Sequence, residues 1–218
     1  AGKDLREGLI TGDKLGLKFL DYMVQAIELL ENLHEHQIVH RDVTATNFMI
    51  TPAGKVAVID MELSYSLDKQ FPDPPFQLGT YGYMSPEQEA MNRPAFAQDI
   101  YSVGAILLQM WTGIWPTKLI DGDYSAMAER VNYFIPDGEF AGIVIQSMAP
   151  EPALRAPLAM IRKTIVAYIE DLKKNGYITE EGPKGEFKLN AKSEQRLRQS
   201  GLEEIFGKLK KTKSGEHN

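Results

Sequence analysis

The sequence contains no cysteine. This absence excludes disulfide scaffolds, thiolate zinc sites and cysteine nucleophiles. It also fits a reducing compartment, so we expect a cytoplasmic protein. Long hydrophobic runs are lacking too, because the most apolar stretch, residues 103–111, is well short of the ~18 to 20 residues of a membrane-spanning helix. We therefore expect no membrane partner.

An excess of positive charge is also lacking. The chain carries 24 Lys and Arg against 30 Asp and Glu, a net charge of -6, so bulk electrostatics do not indicate a nucleic-acid partner. The 43% hydrophobic and 25% charged residues are ordinary for a soluble globular protein. A chain of 218 residues can form one good-sized core with an appendage.

Hydrophobic periodicity predicts mostly helices. Apolar residues at spacings of three and four indicate an amphipathic helix over about residues 15–33. Residues 98–112 are apolar nearly all round, which is typical of a helix inside a core. Further helices are predicted over residues 3–10, 124–133, 140–148 and 157–174.

Strands are predicted to be few and short. Residues 47–51 and 55–59 form two apolar runs around a turn. The polar, proline-rich residues 61–76 predict a mobile surface loop. We thus expect a mainly α domain with short β-hairpins over residues 1–175. A C-terminal extension over 176–218 would hold a small hairpin at 177–190, a weak amphipathic helix at 192–211 and a disordered tail.

Three oxygen-bearing side chains stand at the ends of short connected segments. Asp42 and Asn47 lie in residues 40–47 (HRDVTATN), and Asp60 ends the second predicted strand. This arrangement can hold a divalent cation and a phosphate next to a hydroxyl. The alternative is that they are turn formers and a strand terminus.

Four landmarks follow one another along the chain. The first is HRDVTATN, which resembles the catalytic loop H-R-D-x-x-x-x-N of protein kinases. The second, IDME at 59–62, stands where that family shows D-F-G, and the third, GTYGYMSPE at 79–87, is similar to its G-T-x-x-Y-M-A-P-E segment. The fourth is DIYSVG at 99–104, followed by LRAP at 154–157. Over about residues 3–170 the chain resembles the C-lobe of a eukaryotic-like Ser/Thr protein kinase.

The resemblance implies ATP and Mg²⁺ as cofactors and assigns roles around them. Asp42 would accept or orient the proton of the attacking hydroxyl. Asn47 and Asp60 would hold Mg²⁺ against the ATP phosphates, and Met49 would form the floor of the adenine pocket. Arg41, beside the catalytic Asp42, could receive a phosphorylated loop residue.

The resemblance also implies structural roles for four residues. Thr80 would contact the catalytic loop and help to place a Ser/Thr acceptor. Glu87 and Arg155 match a buried ion pair between the activation segment and the lower lobe. Asp99, at the start of the central helix, would cap the backbone around His40 and Arg41.

Several residues depart from the family pattern. Thr44 stands where Ser/Thr kinases usually have a Lys, and Met61-Glu62 replaces Phe-Gly. D-x-E at this place, with GTYGYMSPEQ at 79–88, resembles the kinase domains of class III and IV lanthipeptide synthetases, which phosphorylate Ser/Thr of a precursor peptide. No glycine-rich phosphate loop and no V-A-I-K lysine precede residue 40, so we expect a C-lobe that lacks its N-lobe and is inactive alone.

Two hypotheses follow for function. The first is transfer of the γ-phosphoryl group of ATP to Ser/Thr of a protein or precursor peptide, with the N-lobe or neighbouring domains of a parent protein as partners. The second is a non-catalytic pseudokinase or binding module, motivated by the missing N-lobe, Thr44 and Glu62. His34, His36 and His40 predict no zinc site, because no carboxylate follows them at zinc spacing.

Overall fold

The computed structural model describes residues 3–5, 17–135, 137–175, 178–182 and 186–189. Its α-helices are α1 Leu17–Glu35, α2 Pro86–Glu89, α3 Phe96–Thr112, α4 Tyr124–Phe134, α5 Gly138–Ser147 and α6 Leu158–Lys174. Short 3-10 turns span Ala45–Asn47, Pro116–Lys118 and Pro152–Leu154. The strands are β1 Lys3–Asp4, β2 Ile38–Val39, β3 Phe48–Ile50, β4 Val56–Val58, β5 Tyr65–Ser66, β6 Ile178–Gly182 and β7 Glu186–Leu189. The prediction of a mainly helical chain with short strands is confirmed for this part.

Helix α3 is the centre of the core. Most of its residues are buried, among them Ile106, Leu107 and Leu108, as the apolar composition of this segment predicts. An added Cβ at Gly104 would lie 2.7 Å from Met148 and 2.9 Å from Ser147. Only glycine therefore permits the close approach of α3 to the end of α5.

The strands form three small antiparallel sheets, β1-β3-β4, β2-β5 and β6-β7. The prediction of a helix over residues 3–10 is wrong at its start, because Lys3 and Asp4 pair with Ile50 and Met49 of β3. Pairing with a distant strand overrides local helix propensity here. Residues 6–10 and the predicted helix at 192–211 lie outside the described residues.

The loop over residues 61–76 is more regular than its prolines predict. Tyr65 and Ser66 form β5 and pair with Val39 and Ile38 of β2. Tyr65 is buried, and its ring packs edge-on against Phe76. The loop therefore begins with a strand that is held to the segment leading into residues 40–47.

No helix in the described ranges is long and apolar enough to cross a membrane.

Candidate functional site

The loop at residues 40–47 follows β2 and is attached to the first turn of α3. Asp99, which is fully buried, accepts hydrogen bonds from the backbone N–H groups of His40 (2.9 Å) and Arg41 (2.8 Å). Its Oδ2 also lies 2.9 Å from Nε2 of His34, at the end of α1. Asp99 thus joins the central helix, α1 and the loop, at the place where the sequence predicts a contact with the loop backbone.

Asp42 is fixed by hydrogen bonds on both of its carboxylate oxygens. Oδ1 accepts from the backbone N–H (2.8 Å) and the hydroxyl (2.7 Å) of Thr80. Oδ2 accepts from Nδ2 of Asn47 (2.9 Å), which also donates to the carbonyl of Asp42 (2.8 Å). A carboxylate has about four lone-pair positions, so one on Oδ2 stays open to a further donor such as a hydroxyl.

The same contacts decide which atoms could bind a cation. Both amide hydrogens of Asn47 point at Asp42, which leaves Oδ1 of Asn47 as an unused acceptor. The backbone N–H of Ile59 donates to the carbonyl of Asn47 (2.9 Å). Asp60 is the next residue along the chain after this contact. Asp60 is exposed and makes no hydrogen bond or ion pair with the described residues. One amide oxygen and one carboxylate fit Mg²⁺, which keeps several waters.

No group of three or more His, Asp or Glu side chains gathers at a metal-binding distance within the described ranges. His34 instead stacks on Phe96 with the ring centroids 4.3 Å apart. Met49 lies half-buried on β3, two residues beyond Asn47. Its predicted place under an adenine ring stays a prediction.

Arg41 closes the loop that follows β4. Its Nη1 donates to the carbonyl of Leu63 (3.1 Å) and its Nη2 to that of Gln77 (2.6 Å). The guanidinium carbon lies 5.3 Å from the centre of the Phe76 ring. Burial lowers the pKa of Arg41, and the charge of Asp99 opposes that shift. In this structure the terminal nitrogens therefore hold both ends of loop 63–77 through backbone carbonyls.

Glu87 and Arg155 form a bidentate ion pair. Nη1 of Arg155 lies 2.6 Å from Oε1 of Glu87, and Nη2 lies 2.8 Å from Oε2. Arg155 also donates to the carbonyls of Ala97, Ala149 and Pro150. Burial by itself raises the pKa of Glu87, but the hydrogen bonds from Arg155, the backbone and Ser85 outweigh it, so the pKa lies below the ordinary value.

We expect the Glu87 pair to make stability depend on pH under acidic conditions. Because the folded-state pKa is lowered, the stabilisation is present above the ordinary value of 4.5 and is lost as the pH falls through the folded-state pKa. Urea unfolding between pH 7 and pH 3 should therefore show a shallower acid loss in Glu87→Gln than in the wild type. Parallel curves below pH 4.5 would contradict this assignment.

Two contacts at the site were not anticipated from the sequence. Nε2 of Gln88 donates to the carbonyl of Arg41 at 2.6 Å. Gly79 lies so close to the loop that an added Cβ would be 2.7 Å from the same carbonyl. The one available signal for Gln88 was its position directly after Glu87, and nothing in its residue type indicates a partner 47 residues earlier.

Comparisons with known proteins identify the family of the chain. The family described as protein kinase domain matches residues 7–142. A probable serine/threonine-protein kinase of Clostridium perfringens is 27% identical over 169 residues, 72% of this chain and 24% of that protein. The probable serine/threonine-protein kinase PknB of Lactococcus lactis is 28% identical over 158 residues, 71% of this chain and 23% of its own.

The serine/threonine-protein kinase PrkC of Bacillus subtilis is 27% identical over 165 residues, 69% of this chain and 25% of its own. The chain spans about a quarter of the length of these curated relatives. Because the family match over residues 7–142 covers more than half of the 218 residues, the chain belongs to the protein kinase domain family.

Proposed function

We propose that this chain supplies the C-lobe half of a site that transfers the γ-phosphoryl group of ATP to a Ser or Thr hydroxyl of a protein or peptide. The observation that supports it most is the Asp42 carboxylate, which Asn47 and Thr80 hold from both sides while one lone pair of Oδ2 stays open. Phosphoryl transfer depends mainly on positioning and on neutralising charge, and a fixed carboxylate meets the first requirement.

In the proposed reaction the acceptor hydroxyl donates to Oδ2 of Asp42. Its oxygen forms a bond to the γ-phosphorus, the bond from that phosphorus to the bridging oxygen breaks, ADP leaves, and Asp42 takes the hydroxyl proton. Oδ1 of Asn47 and the carboxylate of Asp60 would hold Mg²⁺, which neutralises phosphate charge when bound. Thr80, hydrogen-bonded to Oδ1 of Asp42, keeps that carboxylate turned towards the acceptor.

Thr44 does not supply the positive charge that a Lys would bring to the transferred phosphate. Thr44 as a whole is 2% exposed, and its hydroxyl lies 2.8 Å from that of Thr46. We propose that this charge comes from Mg²⁺ and from an N-lobe lysine in the parent protein. The precursor peptide of a lanthipeptide synthetase is the proposed substrate class, because IDME and GTYGYMSPEQ resemble those kinase domains. A cytoplasmic location belongs to the same proposal.

One observation favours a second candidate, a non-catalytic binding module. Glu62 is exposed, two residues after Asp60, and makes no ion pair with the described residues. An uncompensated carboxylate there repels the nucleotide phosphates. Together with Thr44 at the position of the usual Lys, this repulsion would make the site a pseudokinase site.

Binding of Mg·ATP separates the two candidates. We expect ATP with Mg²⁺ to raise the melting temperature of the full-length protein, since a ligand at a hundredfold excess over its Kd adds about 2.7 kcal/mol of stability. Removing Mg²⁺ with a chelator should abolish most of the shift. Absence of any shift with Mg·ATP, or an equal shift in chelator, would favour the non-catalytic module.

A further inference from the structure

The side chain of Gln88 extends from the end of residues 60–88, which we call the activation segment, to the loop that carries Asp42. Gln88 belongs to α2 and is 2% exposed. Its Nε2 donates to the carbonyl oxygen of Arg41 at 2.6 Å. That carbonyl belongs to the peptide unit that joins Arg41 to Asp42, so the contact is made to the peptide group directly before Asp42.

Arg41 has a backbone conformation that needs support. Its φ is 68°, in the left-handed region that residues other than Gly, Asn and Asp rarely adopt. Asp99 holds the N–H side of Arg41 at 2.8 Å. Gln88 holds its carbonyl side. The two side chains thus hold the peptide units before and after the Cα of Arg41, and the second of these units leads directly to Asp42.

Helix α2 is itself well fixed. Ser85 caps it, with its hydroxyl oxygen accepting from the backbone N–H of Gln88 at 3.3 Å. The next residue towards the N-terminus, Glu87, is held by Arg155. Ordering a Gln side chain has an entropic cost, and here the fixed backbone, the burial of Gln88 and its hydrogen bond to Arg41 hold the side chain in place.

The amide of Gln88 has one satisfied end and one unsatisfied end. Its Oε1 is buried and has no hydrogen-bond partner among the described residues, which is unfavourable. A flipped amide would place Oε1 against the carbonyl of Arg41, and two acceptors would then face each other. The contact between Nε2 and Arg41 therefore determines the orientation of the amide.

Gly79 packs closely against the hydrogen bond between Gln88 and Arg41 and against Asp42. An added Cβ there would lie 2.7 Å from the carbonyl of Arg41 and 3.1 Å from both Nε2 of Gln88 and Oδ1 of Asp42. The next residue, Thr80, donates its N–H and its hydroxyl to Asp42. Gly79 thus lets the segment approach closely enough for Thr80 to reach Asp42.

We propose that Gln88 is a positioning residue that couples docking of the activation segment to the orientation of Asp42. When the segment is in place, Gln88 holds Arg41 in its left-handed conformation and Thr80 closes onto the carboxylate. The catalytic consequence rests on the proposed phosphotransfer, whereas the coupling itself can be measured without any turnover.

Gln88→Met is the main test, because Met keeps the length of Gln and removes the amide. Loss of Oε1 removes one buried unpaired acceptor, but loss of Nε2 leaves the carbonyl of Arg41 without this donor, so the variant loses one hydrogen bond net and we expect only a small loss of global stability. Gln98→Met is the matched control. Gln98 is 1% exposed, lies near the same site at the start of α3, and its two amide atoms have no partner among the described residues.

The readout is amide hydrogen exchange of the full-length protein, followed residue by residue by NMR. In Gln88→Met we expect the Thr80 amide to exchange about fivefold faster, the factor that corresponds to one lost hydrogen bond. Gln98→Met should leave that rate unchanged. Gly79→Ala should accelerate Thr80 exchange with Gln88 still in place, which keeps the test open should Gln88→Met not fold.

Turnover gives a second readout in the same variants. Gln88→Met should lower kcat by at least about tenfold with an unchanged KM for ATP, since a displacement of about 1 Å can cost a hundredfold. If the wild type does not transfer phosphate, the proposed function fails, and the exchange result alone decides the role of Gln88. Unchanged Thr80 exchange in both Gln88→Met and Gly79→Ala, or an equal acceleration in Gln98→Met, would overturn the proposal.

Discussion

Asp60→Asn in the full-length protein is expected to lower phosphotransfer by at least about a hundredfold, because a bound metal contributes several kcal/mol to the transition state of such reactions. Asp60 follows the end of β4, where the backbone N–H of Ile59 donates to the carbonyl of Asn47 on the paired strand side. An amide in its place binds Mg²⁺ less tightly, since it carries no charge. The Mg²⁺ concentration needed for half-maximal rate should rise in the variant.

The fold should not change in Asp60→Asn. Asp60 is exposed, has no partner among the described residues and has a φ of 59°, a conformation that Asn adopts as readily as Asp. Glu62→Gln is the matched control, because it removes one exposed carboxylate two residues away. Its kcat should stay within a few-fold of wild type. Undiminished turnover in Asp60→Asn, or an equal loss in Glu62→Gln, would remove Asp60 from the metal site.

Arg155→Met is expected to lower the free energy of unfolding by about 3 to 5 kcal/mol, the range for breaking a buried ion pair by removing one partner. Arg155 is 6% exposed and ties Glu87 to the carbonyls of Ala97, Ala149 and Pro150. The substitution leaves the Glu87 carboxylate and these carbonyls without their donor. Urea unfolding at neutral pH measures the change.

Arg162→Met is the control for that experiment. Arg162 lies on α6, is about one-third exposed and contacts Glu31 of α1 at 2.9 Å. Ion pairs at the surface contribute less than about 1 kcal/mol, so this variant should unfold nearly as the wild type does. Equal losses in the two variants would show that the Glu87 pair is no more important than a surface contact.

The sequence predicted best the features that come from long patterns or from spaced motifs. The apolar segment at residues 98–112, which leaves no polar face, predicted the core helix α3. The observed helix, Phe96–Thr112, begins two residues before the predicted start. The contacts of Asp99 with residues 40 and 41, and of Glu87 with Arg155, lie where the resemblance to protein kinases places them. Charged residues that are spaced far apart in a recurring motif carry such information, because burial requires each of them to have a partner.

The features that the sequence did not predict are short and depend on distant partners. The strands Lys3–Asp4 and Tyr65–Ser66 have two residues each, which is too few for a period of two to show. Their pairing is determined by the free edges of β3 and β2. The contact of Gln88 with Arg41 could not be predicted either. A single amide can donate to any nearby carbonyl, and every residue has a backbone carbonyl, so the residue types do not identify the partner.

The most direct test of this site is transfer of a labelled γ-phosphoryl group from ATP to a Ser/Thr-containing peptide by the full-length wild-type protein, followed by identification of the modified residue. We predict phosphoserine or phosphothreonine that forms with Mg²⁺ and is absent with chelator. A protein that binds Mg·ATP and forms no labelled product, or one that labels only tyrosine, would contradict the assignment of Asp42, Asn47 and Asp60 to a Ser/Thr phosphotransfer site.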